Sequence, residues 1–220
     1  MRITREMLLK VAQEMIAQRS KEDLRLLSVY LHGSVLEDEP LLGGTADIDL
    51  FFVHDHDVST EREIVRVTDD IHLDIAHYSR KAYRQTRELR LHPWLGPTIY
   101  SCRILYDPQH FMDFVQASVR GQFYRAEHVI GRVRPQVEQA RKVWLALVQS
   151  PSSSDTNNII GSYLRAVALA ASAIASLTGS LLTERRFLLK FADQAKAVGQ
   201  PGLYVGMLGL LGGPSPGRKR

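Results

Sequence analysis

The segment DIDLFFV, residues 47–53, restricts the fold of this chain more than any other stretch. Its last four residues are all apolar, which is typical of a strand covered on both faces. Its first part carries Asp47 and Asp49, and alternate residues of a strand share a face, so these carboxylates would lie about 6.5–7 Å apart. Burying charge is costly unless the charge is paired or bound to a cation. The segment therefore predicts a central strand that begins at a cation site, and Mg²⁺ prefers such oxygen ligands.

A Gly-Ser pair, Gly33 and Ser34, follows the preceding apolar run at residues 27–31. Glycine has no Cβ, so a phosphate can approach its backbone closely. Ser34 adds a hydroxyl and an N–H group, and a helix that begins soon after it would favour an anion at its free N–H groups. A triphosphate on the Gly-Ser turn and Mg²⁺ on the aspartates together form one coherent predicted site.

Hydrophobic periodicity divides the chain into a mixed first half and a helical second half. The predicted strands are residues 27–31, 48–53, 62–67, 71–77 and 98–106. The predicted helices are residues 4–18, 79–91, 111–119, 124–148, a helix capped by Asp155 or Thr156, and 183–198. These elements predict an α+β fold, in which a small mixed sheet flanked by helices is followed by a C-terminal helical bundle. The expected domains are residues 1–108 and 109–212, with a linker at 151–154 and a disordered basic tail at 213–220.

Composition narrows the range of partners. The chain has 220 residues and a net charge of +4, a mild basicity that suits an anionic small molecule such as a nucleotide. A nucleic-acid partner is disfavoured, because no block of Lys and Arg occurs before residues 217–220.

The single cysteine, Cys102, excludes an intrachain disulfide and a cysteine-rich metal site. The N-terminus lacks a signal-peptide pattern, and the apolar stretch at residues 167–177 is shorter than a membrane span, so we expect a cytoplasmic protein without a membrane partner.

The motif residues resemble a known signature. His32-Gly33-Ser34, followed after about a dozen residues by Asp47-Ile48-Asp49-Leu50, is similar to the signature of the polymerase-beta-like nucleotidyltransferase superfamily. Members often carry a third carboxylate on a later strand, and Asp74 within IHLDIAHYSR has that position. The resemblance covers residues 27–106. The helical half is loosely similar to the smaller bacterial and archaeal members, including aminoglycoside nucleotidyltransferases.

The resemblance implies a reaction and a set of site residues. A nucleoside monophosphate would pass from ATP or another nucleoside triphosphate to an acceptor hydroxyl, with release of pyrophosphate. Two Mg²⁺ ions, or Mn²⁺ in their place, would serve the attacking and leaving oxygens. Asp47 and Asp49 would bridge the metals, and Asp74 would hold the acceptor-side metal or take the acceptor proton. Arg186 and Lys190, four residues apart on a predicted helix, are either an exposed basic face or contacts to the triphosphate.

Several alternatives remain open from the sequence. The expected acceptor is a small molecule such as an aminoglycoside-like compound, and a protein-modifying enzyme of the antitoxin type is the first alternative. A non-catalytic nucleotide-binding module is the second, and a homodimer that completes the site is left open. The run at residues 54–57, HDHD, follows a strand end and is interpreted as a hydrated loop in preference to a transition-metal site. His72 is interpreted as a solvated strand histidine.

Overall fold

The computed structural model describes residues 3–37, 39–41, 44–149, 156–179, 181–183 and 186–213. The chain forms two compact units. The first comprises Met1–Leu89 and Thr98–Gly121, and the second comprises Arg90–Pro97 and Gln122–Arg220. Within the described residues there are five strands in one mixed sheet and eight α-helices, so the predicted α+β class is confirmed.

The first unit contains the sheet. Its elements and those that link it to the second unit are, in chain order, α1 (Arg5–Glu22), β1 (Leu26–His32), β2 (Ala46–His54), β3 (Arg62–Arg66), β4 (Ile71–Ser79), α2 (Thr86–Leu91), α3 (Leu95–Ser101), β5 (Arg103–Tyr106) and α4 (Phe111–Arg120). The strand order is β3-β4-β2-β1-β5. Strands β2 and β4 are parallel, and the other neighbouring pairs are antiparallel. The DIDLFFV segment therefore lies in the central strand, as its apolar run predicts.

One face of the sheet is covered by α1. The side chain of Thr4 caps this helix by accepting a hydrogen bond from the Met7 N–H group at 3.3 Å. The buried residues of this core are spaced at helical intervals in α1 and at alternate positions in the strands. They include Leu8, Ala12, Ile16, Val29, Leu31, Ile48, Leu50, Phe52, Leu73 and Ile75. Because the strand period is two, the remaining positions of β2 and β4, including all three candidate aspartates, belong to the opposite face.

Two local predictions were wrong. The strand expected at residues 98–106 is reduced to β5, because Thr98 and Ile99 are buried within helix α3. The buried side-chain amide of Gln116 donates to the carbonyls of Ile99 and Cys102 at 2.9 Å, which fixes the helix end by contacts distant in sequence. The helix expected at residues 79–91 is also divided. Ser79 caps only a short 3₁₀ turn, and α2 begins later.

The second unit is helical. Its helices are α5 (Ala126–Gln149), α6 (Thr156–Leu177), α7 (Phe187–Ala197) and α8 (Gly202–Leu210). Helix α5 continues through Pro135, and a small buried cluster of Ala171, Phe191 and Met207 joins α6, α7 and α8. The expected linker at 151–154 and residues 214–220 of the expected tail lie outside the described residues. Helix α4 belongs to the first unit, beyond the boundary expected at residue 108.

Helix α6 changes one argument about membranes. It has 22 residues, its most apolar 18-residue window has a mean hydropathy of 1.5, and 33% of that window is buried. By length and composition alone it could cross a membrane, so the argument from a short apolar stretch does not hold. These properties are weak grounds for a span, because core helices of bundles share them. The expected location stays a prediction.

Candidate functional site

The three aspartates meet at the beginning of the two parallel strands. In the register of β2 and β4, Asp49 lies opposite Asp74, and Asp47 lies opposite His72. Neighbouring strands are about 4.8 Å apart, so two carboxylates in register on one face are close enough to repel each other strongly. The structure thus brings together Asp47, Asp49 and Asp74 on the face opposite α1, whereas sequence spacing alone related only the first two.

Asp49 is the innermost carboxylate of the three. Burial, followed by the negative charges of Asp74 and Asp47, raises its pKa from 3.8 to about 7, and the positive charge of Arg62 opposes this rise. The same face of the sheet is closed beyond Asp49 by aromatic side chains. The rings of Tyr30 and Phe51 stack at 4.8 Å, and both residues are buried. A carboxylate at the edge of this apolar layer is poorly solvated, and a bound cation would relieve both the desolvation and the repulsion.

Asp74 already has a cationic partner. The Arg62 Nε atom on β3 donates to Asp74 Oδ1 at 2.7 Å, and the Arg62 Nη2 atom contacts Asp74 Oδ2. This two-point contact is the strong form of an arginine–carboxylate pair. The Arg62 side chain is nevertheless 67% exposed, whereas that of Asp74 is only 21% exposed. Because Arg62 is exposed, it can move into solvent and leave Asp74 available to another cation. The sequence did not indicate this pairing of Asp74 with Arg62.

His72 extends the row on its outer side. Its Nδ1 atom lies 3.9 Å from Asp47 Oδ1, and the Asp47 side chain is 42% exposed. His72 is thus a neighbour of the candidate site, on the face it shares with Asp74. The sequence favoured a solvated strand histidine, and the structure adds the proximity of this ring to a candidate site residue.

Gly33 lies against Asp49. Its φ of 88° falls in the left-handed region that favours glycine. A Cβ atom added at this position would lie 2.0 Å from Asp49 Oδ2, so no side chain fits without displacing the carboxylate. From the sequence, we expected Gly33 to allow a phosphate to approach the backbone. The structure indicates a second role, because the absence of a side chain at Gly33 leaves the space that the Asp49 carboxylate fills. Ser34 begins a single 3₁₀ turn, Ser34–Leu36, where a longer helix was expected.

The two basic residues predicted to contact the triphosphate lie in the second unit. Arg186 is the N-cap residue of α7, and Lys190 lies within that helix. The predicted helix began at residue 183, so Arg186 flanks the helix and does not lie inside it. Both side chains are partly buried. Their contact with a triphosphate stays a prediction, because the aspartates belong to the first unit.

Comparison with known proteins adds no assignment. No protein-family model matches the chain, and a search of curated proteins finds no match. The site is therefore interpreted from its own chemistry. Its donors are three carboxylates, the hard oxygen ligands that Mg²⁺ prefers, and the glycine beside them leaves space for the inner one. The chemistry of these donors fits a Mg²⁺ ion.

Proposed function

We propose that this protein is a Mg²⁺-dependent nucleotidyltransferase, which moves a nucleoside monophosphate from a nucleoside triphosphate to an acceptor hydroxyl. The observation that carries the proposal is the convergence of Asp47, Asp49 and Asp74, with the pKa of Asp49 raised to about 7 by burial and by the other two carboxylates. A bound cation would stabilise a group of partly buried carboxylates that repel one another once the group is fully ionised. The resemblance of the Gly-Ser and Asp-x-Asp motif supports the same function.

The proposed reaction assigns a role to each residue. The acceptor oxygen forms a bond to the α-phosphorus, the bond to the β-phosphate oxygen breaks, and pyrophosphate leaves with the electron pair. Mg²⁺ would supply charge stabilisation for the triphosphate and the leaving group. Asp47 and Asp49 would hold the cation, and Asp74 would accept the proton of the acceptor hydroxyl once Arg62 has left it. Ser34 would donate its hydroxyl and N–H to a phosphate.

The test is a direct assay of transfer. The full chain would be incubated with labelled nucleoside triphosphates, Mg²⁺ and a panel of hydroxyl-bearing acceptors, including aminoglycosides and proteins, followed by measurement of pyrophosphate release and adduct mass. We expect one adduct that carries a nucleoside monophosphate, formed by the parent and not by Asp49→Asn. Asp69→Asn is the matched control, since it removes an exposed carboxylate from a turn of the same unit. Nucleotide binding without any adduct, or equal activity in Asp49→Asn, would overturn the proposal.

A further inference from the structure

A second group of polar side chains lies at the other end of β2, on the face covered by α1. His54 is the last residue of the strand and is buried at 8% exposure, so its interpretation as part of a hydrated loop was wrong. Its Nδ1 atom lies 2.9 Å from Oδ2 of Asp23, the residue that follows α1. One ligand atom from each of Asp23, His54 and His56 lies within 4.8 Å of the others. The three residues, called here the Asp23 cluster, have the donor types of a transition-metal site.

His56 provides an independent observation. Its Nδ1 atom is buried and has no hydrogen-bond partner among the described residues. The centroids of the His54 and His56 rings are 5.4 Å apart, and the rings meet edge to face. A buried ring nitrogen without a partner is costly, since it has lost water and gained nothing in exchange. A cation bound through this nitrogen would give it a partner.

The hydrogen bonds behind His54 lead to the same conclusion. His54 Nε2 lies 3.0 Å from His77 Nδ1, and His77 Nε2 lies 3.5 Å from Glu63 Oε2. Glu63 is itself held by Arg19, whose Nη2 atom donates to Oε1 at 2.6 Å. The result is a chain of three contacts, from Asp23 through the two rings to Glu63, and each contact needs one proton.

Two neutral imidazoles supply only two protons for these three contacts. If a cation replaces the proton between Asp23 and His54, the two imidazole protons match the two contacts that remain. His54 Nε2–H then donates to His77 Nδ1, and His77 Nε2–H donates to Glu63. A metal-bound histidine usually donates its second N–H to an acceptor of this kind.

We propose that Asp23, His54 and His56 bind one divalent transition-metal ion of the zinc class. Zn²⁺ takes histidine nitrogen and carboxylate oxygen in tetrahedral sites, with water as the fourth ligand where three come from the protein. Bonds of about 2.0–2.1 Å place neighbouring tetrahedral ligands about 3.4 Å apart. The 2.9 Å separation of Asp23 and His54 must therefore open by only a few tenths of an ångström. The ion would join the end of α1 to the end of β2, a stabilising role that does not depend on the proposed transferase activity.

The experiment is a Zn²⁺ titration of the chelator-treated full chain by calorimetry, carried out in the Asp49→Asn background so that the carboxylate site contributes less. We expect one Zn²⁺ per chain and, with Co²⁺, the visible bands of four-coordinate cobalt. His56→Ala should weaken binding at least tenfold and should abolish the rise in Tm that Zn²⁺ causes. His56 is chosen because it is partly exposed, whereas a change at the buried His54 could prevent folding.

His110→Ala is the matched control. His110 also pairs with a carboxylate, at 2.8 Å from Asp113, but its side chain is 72% exposed and, among the described residues, it belongs to no group of three ligand atoms within 4.8 Å of one another. This control should bind Zn²⁺ as the parent does. An absence of Zn²⁺ binding in the parent would overturn the proposal, and so would an equal affinity in a folded His56→Ala variant. Asp23→Asn provides a second variant, for which we expect a similar loss of affinity.

Discussion

Asp49→Asn should raise the free energy of unfolding of the metal-free protein at pH 8. Asparagine has nearly the shape of aspartate without its charge. The pKa of Asp49 rises from 3.8 to about 7 in the folded chain, mainly because the group is buried and then because Asp74 and Asp47 repel it. A difference of about 3 units corresponds to about 4 kcal/mol at 1.36 kcal/mol per unit. This value is an upper limit on the gain.

The sign of the pH dependence follows from proton binding. Between about pH 4 and pH 7 the folded chain keeps a proton on Asp49 that the unfolded chain has lost. The stability of the parent therefore falls as the pH rises through this interval, and the full penalty is present above it. The variant has no such penalty, so its advantage should be near zero at pH 4 and largest at pH 8.

Hydrogen exchange of the β2 and β4 amides, in the presence of a chelator, measures the free energy of unfolding of the first unit, which contains Asp49. Tryptophan fluorescence would not, because Trp94 and Trp144 both belong to the second unit. Asp69→Asn is again the control, since its carboxylate is 86% exposed and its removal should change stability little at any pH. A stability gain for Asp49→Asn that is equal at pH 5 and pH 8, or a loss at pH 8, would refute the argument.

Three further substitutions test neighbouring contacts. Gly33→Ala should destabilise the fold through the contact with Asp49 Oδ2, and a double-mutant cycle with Asp49→Ala should reduce the cost to the roughly 1–3 kcal/mol of a non-glycine residue at a φ of 88° and a ψ of −154°; an unchanged cost would contradict this. Asp74→Asn should lower turnover by about 10²–10⁴-fold while calorimetry finds triphosphate affinity retained; joint loss would make Asp74 an equal metal ligand. Arg62→Gln should raise the pKa of Asp49, because Arg62 lowers it, and an unchanged carboxyl titration by NMR would be evidence against that interaction.

The elements governed by a strict period were predictable from the sequence. The alternation in β2 and β4 and the helical spacing in α1 follow from which residues must reach the core, so their positions required no knowledge of distant contacts. The same alternation placed Asp47 and Asp49 on one face. Asp74 became a candidate through the resemblance to the superfamily, and only the parallel register of β2 and β4 sets it opposite Asp49.

The features that were missed depend on contacts between distant residues. Helix α3 replaces the first part of a predicted strand, and Gln116 from α4 donates to the carbonyl of Ile99 in this helix and to that of Cys102 just after it. The strands β3 and β4 were predicted, but the pairing of Asp74 with Arg62 depends on the register between them, which the periodicity of each strand does not define. His54 is followed by polar residues and was therefore assigned to a loop, but its partners Asp23 and His77 come from two other elements.

The two polar groups on β2 are separated by the geometry of the strand itself. Asp49 and His54 are five positions apart, an odd number, so their side chains point to opposite faces of the sheet. Five residues also place them about 16 Å apart along the strand. Between them the strand is buried on both faces, with Leu50 and Phe52 on the α1 side and Phe51 on the other. The apolar run of β2, which restricted the fold most strongly, thus also separates the two sites. It lies between the carboxylates near Asp49 and the Asp23 cluster.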